Sequence, residues 1–129
     1  MFVFKPVSTI GPLLVLALTT LSGCDKAPQV SYSKNVRPII DEHCLECHKV
    51  GGEGEKKSGL NLETYADMMK GTKFGPMIVP GDSFGSNLVV LIEGRADESI
   101  HMPRSEHGPL SEAEIETIKN WIDQGALEN

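Results

Sequence analysis

The stretch Cys44-Leu45-Glu46-Cys47-His48 decides how the rest of this chain is read. Two thiols at this spacing, followed at once by an imidazole, match the Cys-x-x-Cys-His pattern of covalent c-type haem attachment. On a turn of helix both sulfurs reach the vinyl groups on one edge of a porphyrin, and His48 then lies under the iron as its proximal ligand. Two other chemistries use part of the pattern. A redox dithiol of the thioredoxin kind wants a surrounding βαβ unit, and the sequence shows none. The group His43, Cys44, Cys47 and His48 also resembles half of a zinc site, but the second ligand pair is missing.

Working outward, the remaining cysteine has its own explanation. Lys5 gives a weakly positive start, and Val7 to Leu21 is an apolar run free of charge. That run is short for a membrane span and reads as a secretory signal. It ends in Leu21-Ser22-Gly23-Cys24, which resembles the lipobox of bacterial lipoproteins. The resemblance implies cleavage before Cys24 and a lipid on its sulfur. All three cysteines are then assigned, one to lipid and two to haem. The expected layout is a signal peptide over 1–23, a tether over 24–32 carrying the lipidated cysteine, and one domain over 33–129. Asp25 to Ser31 would let that domain stand only roughly 25 Å from the membrane surface when extended at about 3.3 Å per residue. The location expected is a bacterial periplasm or cell envelope, with the choice of membrane open.

The formal charge is −6, and loss of Lys5 with the leader makes it −7. This excludes nucleic acid as a natural partner. It favours a redox partner protein with a locally positive docking surface, although solubility alone also explains it. Beyond the leader the aromatic residues are Tyr32, Tyr65, Phe74, Phe84 and Trp121. A domain of about a hundred residues has a limited core of its own, which a large planar cofactor would supplement.

Ser33 is the expected cap of a helix over roughly 34–47, with Val36, Ile39, Ile40, Cys44 and Cys47 on one apolar face. Pro38 falls in its first turns. Lys49 to Gly59 holds four glycines and reads as a mobile loop. A helix follows around Thr64–Lys70, stopped by Gly71. Asp82 or Ser86 caps another holding Leu88, Val89, Leu91 and Ile92, ending at Gly94. The last helix has a capping box, Ser111 with Glu114, and a hydrophobic staple, Leu110 with Ile115. Its apolar face is Ile115, Ile118, Trp121 and Ile122. Trp121 is first a core residue, with contact to the haem or the first helix as the sharper expectation.

One histidine leaves the far side of the iron open. The candidates for a second axial ligand are Met68, Met69, Met77, Met102, His101 and His107. Met102-Pro103 sits in the loop before the last helix, where a segment must cross back over the pocket, and a Met/His pair raises the reduction potential. Arg37 and Arg104 are candidate partners for a haem propionate.

From Ser33 to Ala126 the chain resembles a class I cytochrome c, and most closely the planctomycete-type cytochrome c domain. The matching residues are Val36-Arg37-Pro38-Ile39-Ile40, Cys44 to His48, Ser58-Gly59-Leu60-Asn61-Leu62, Ile78-Val79-Pro80-Gly81-Asp82, Ser86-Asn87-Leu88, Met102-Pro103, and Trp121-Ile122 before Gly125-Ala126. The resemblance implies a small all-α fold wrapped around one covalent haem c, with His48 proximal and Met102 distal. Arg104 stands where that family often has a second proline. The expected function is single-electron transfer, not catalysis, since no nucleophile–base or carboxylate pair stands out near the motif. The rival functions are an electron-entry or peroxidase-like component of a larger oxidoreductase, and a haem-based gas sensor.

Overall fold

The computed structural model describes residues 1–3 and 27–129. The leader from residue 4 and the lipidation candidate Cys24 lie outside them. The described part is all-α. Among the described residues there is no strand, only an isolated bridge between Thr72 and Gly75. Nor is any helix among them long and apolar enough to cross a membrane.

The first helical stretch begins earlier than Ser33. Ser31 is the cap, its hydroxyl accepting from Lys34 N at 3.3 Å. Tyr32–Val36 winds as a π-helix and runs into α1 (Arg37–His43), with Pro38 in the first turn of α1. The helix expected to reach residue 47 stops at His43. Cys44 leaves helical geometry at φ −122°, so the motif lies on the turn that follows. That turn is held by His48 N donating to Cys44 O at 3.0 Å.

The segment expected as a loop contains α2 (Glu53–Ser58). Glu53 and Lys57 pair one turn apart at 3.6 Å, an arrangement that supports short helices. Gly59 closes α2 in the left-handed region at φ 79°, a position that suits glycine. Next, α3 (Tyr65–Lys70) is capped by Thr64, which accepts from Asp67 N at 3.0 Å. In front of α4 (Asn87–Ile92), Ser86 is buried and its hydroxyl ties Val79 N to Asp82 O instead of capping the helix. A short 3₁₀ turn, Glu98–Ile100, leads to the loop before α5 (Glu112–Asp123).

The two chain ends of the domain are laced together. Tyr32 N donates to Asn129 Oδ1 at 2.7 Å, Ser33 N to Asn129 O at 2.9 Å, and Val30 N to Gln124 Oε1 at 2.7 Å. Between them α5 buries Ile118, Trp121 and Ile122 against Val36 and Ile40. Trp121 is 1% exposed. Its ring lies 5.5 Å from that of Tyr32 and 6.4 Å from that of Tyr65. Its Nε1–H donates to Leu127 O at 2.9 Å. At the other end of α5 the capping box is present in both directions. The same Glu114 accepts from His43 Nε2–H at 3.2 Å, joining the end of α1 to the start of α5. The bonds from Ser111, then that from His43, hold the Glu114 carboxyl below its ordinary value.

Candidate cofactor site

Both cysteines and His48 line one cavity of about 590 Å³, within the range of small-molecule and cofactor sites. The walls are mostly apolar, with Leu60 and Leu62 from the segment after α2 and Leu88 and Leu91 from α4. Ala96, Ser99, Ile100 and the run Met102 to Ser105 form a further wall.

The turn at Cys44–His48 is set from two sides. Cys47 O accepts from Gly54 N at 2.9 Å and Glu55 N at 3.1 Å, so α2 docks on the motif by its first turn. Leu62 N donates to His48 O at 2.7 Å. Arg37 holds the same segment by donating to Leu62 O and Glu63 O at 2.9 and 2.8 Å, and it pairs with Asp41 at 2.6 Å. Arg37 is thus engaged away from the cavity and is not available to a propionate. Arg104 does line the cavity.

His48 is held in one tautomer. Its Nδ1 lies 3.2 Å from Leu60 O. A carbonyl can only accept, so Nδ1 carries the proton and Nε2 keeps its lone pair. Burial pushes the His48 pKa down, with the Leu60 bond opposing, which favours the neutral ring that a metal requires. The ring also packs closely against Gly54. A Cβ built there would sit 2.7 Å from both Cε1 and Nε2 of His48.

The thiols are free and half-buried. Burial first, and Cys47 second, push the Cys44 thiol up to about 12. The zinc reading lacks a convergent set of ligands around the thiols among the described residues. Among the described residues the cluster of metal-capable side chains is Glu42, His43 and Glu114, and neither cysteine belongs to it.

The six axial candidates separate clearly. Met68 is buried in the core and Met69 packs against it. His101 lies against Gly94, where a Cβ would meet its ring at 2.9 Å. His107 stands edge-on to His43 at 6.2 Å. Met77 and Met102 both line the cavity. Trp121, by contrast, belongs to the core at the chain ends, so of its two expected contacts the one with the first helical stretch is found. The segment from Lys49 to Gly59 was expected beside the motif as a loop, and its helical form, α2, was not foreseen. Its Glu53, Gly54, Lys57 and Ser58 all line the cavity. The signals were present in the Glu53–Lys57 spacing and the glycine at 59, masked by the glycines around them.

The donor set therefore fits a haem attached through two thioethers, with a neutral imidazole Nε2 and a thioether sulfur at one apolar cavity. No curated protein and no solved structure gives a match to the chain. A family model described as Planctomycete cytochrome C matches residues 44–106. That span opens on Cys44 and takes in α2, α3, α4 and Met102. From Cys44 to Glu106 the chain is thus similar to the planctomycete-type cytochrome c family, a likeness that points to a haem-based role in electron transfer.

Proposed function

We propose that this chain is a monohaem c-type cytochrome that carries single electrons, anchored through a lipid on Cys24 to the outer side of a bacterial membrane. Residues 1–23 are its export signal, 24–32 its tether and 33–129 its haem domain. Cys44 and Cys47 hold one haem c covalently, with His48 as proximal and Met102 as distal ligand. When bound, that group supplies a one-electron ferric/ferrous couple.

The observation that carries this reading is the fixed tautomer of His48. Its proton is committed to Leu60 O, and its other nitrogen remains for iron at a cavity that both thiols also line. The size of the cavity supports an occupant.

Between the two methionines, Met102 is favoured by its place. Met77 is buried at 8% exposed and its carbonyl is bound by Leu88 N. Met102 sits half-buried in the loop between α4 and α5, with Pro103 after it. Leu88, Leu91 and their neighbours keep water from the ligands, which favours transfer without a change of coordination. The acidic balance of the chain suits a partner protein with a positive docking surface.

The test is the visible and near-infrared spectrum of the purified protein, with a redox titration. A low-spin spectrum with a ferric methionine–iron charge-transfer band and a one-electron titration is expected. A high-spin ferric spectrum, or carbon monoxide binding to the reduced native protein, would overturn the six-coordinate carrier.

A further inference from the structure

We infer that the Ser58 hydroxyl is a positioning group for His48 and, through it, sets the reduction potential. The inference rests on the reading of His48 as an iron ligand.

Ser58 closes a ring of bonds around the imidazole. Its Oγ–H donates to Gly54 O at 2.7 Å, and its oxygen accepts from Leu60 N at 3.1 Å. Leu60 O in turn accepts from His48 Nδ1–H at 3.2 Å. Gly54 packs against the imidazole, with no space for a Cβ. One hydroxyl therefore joins the residue packed against the ring to the acceptor at its edge. Ser58 itself lines the cavity, at the C-terminal end of α2 where the chain turns through Gly59. Lys73 N donates to Ser58 O at 3.0 Å and fixes the residue from outside the ring of bonds.

The consequence is electronic. The partner of the non-ligating nitrogen fixes the ring and raises its basicity, and a more basic ligand stabilises ferric over ferrous iron. Loss of the Ser58 hydroxyl leaves Leu60 N without its acceptor and removes the tie between Leu60 and Gly54 O. The Leu60 carbonyl is then freer to turn, the Nδ1–H bond weakens, and the potential rises.

The experiment uses the mature haem-loaded protein and the variants Ser58→Ala, Ser58→Thr and Gly54→Ala. Direct partners of a metal-bound histidine are worth ten- to a hundred-fold in affinity or activity. Ser58 acts one bond further out, so Ser58→Ala should keep its covalent haem and shift the reduced-to-oxidised ratio about threefold toward reduced at the wild-type midpoint. At ~59 mV per tenfold for one electron this is ~28 mV. The His48 Nδ1–H resonance of the ferrous protein should exchange faster with solvent, and Ser58→Thr, which keeps the hydroxyl, should restore both. Gly54→Ala should shift the potential further, since the ring must move. A haem-bearing Ser58→Ala with wild-type potential and exchange would overturn the inference, as would a Ser58→Thr that behaves like alanine. If Ser58→Ala does not fold, a Gly54→Ala protein with wild-type potential does the same. A wild-type chain without covalent haem defeats the His48 reading itself, a result separable from any of these.

Discussion

Two regions of this molecule solve the problem of a small core in different ways. Where the chain ends meet, Tyr32, Tyr65 and Trp121 pack ring on ring, and backbone carbonyls accept from the polar ends of Tyr65 and Trp121: Tyr65 O–H donates to Ala126 O at 2.8 Å and Trp121 Nε1–H to Leu127 O at 2.9 Å. That region fills its space with its own side chains, although the Tyr32 hydroxyl is buried there without a partner. Around the motif the apolar walls converge on a cavity instead, and the polar bonds are spent on orienting one imidazole. The difference separates what holds the fold from what the fold is for. A change in the first region should cost stability without touching the site, and a change in the second should do the reverse.

The largest break is expected from Cys44→Ser with Cys47→Ser. Covalent haem should be lost altogether, as read by mass and by haem staining after denaturation. Met102→Ala should follow, abolishing the ferric charge-transfer band and opening the iron to carbon monoxide, while Met77→Leu leaves the band in place. If the two methionine variants exchange these outcomes, Met77 is the distal ligand. In the aromatic region Trp121→Ala should cost about 3–5 kcal/mol in chemical denaturation, with the spectrum of the folded fraction unchanged. A smaller effect belongs to the junction of α1 with α5, where Ser111→Ala should cost about 1 kcal/mol through loss of the cap.

The junction also carries a pH dependence. Glu114 is held below its ordinary value of 4.5 by Ser111 and then His43. The unfolded chain therefore takes up this proton first as the solution is acidified. The stabilisation is present in full above about pH 4.5 and is lost as pH falls through the lower folded value. Glu114→Gln should flatten this part of the acid limb in a thermal-melt series.

Much of this contrast was legible in the residues. The helix at the C-terminal end could be read because its cap, staple and apolar face all point the same way, and the structure forms it over Glu112–Asp123. The motif could be read because thiol and imidazole chemistry at fixed spacing is rare by accident. The start of the first helix could not, since Ser31 and Ser33 are equivalent caps until Asn129 returns to bind that turn. The short α2 was hidden because glycine weakens every local helix signal, and Gly54 is required by the approach of His48, a contact formed only by folding. Arg37 looked like a propionate partner because carbonyl acceptors twenty-five residues away leave no mark in its own neighbourhood.

The most direct measurement is the intact mass, with thiol titration, of the chain recovered from cells competent to make c-type cytochromes. The account predicts the polypeptide plus one haem, with no free thiol at Cys44 or Cys47. A colourless protein of bare polypeptide mass with both thiols titratable would contradict it.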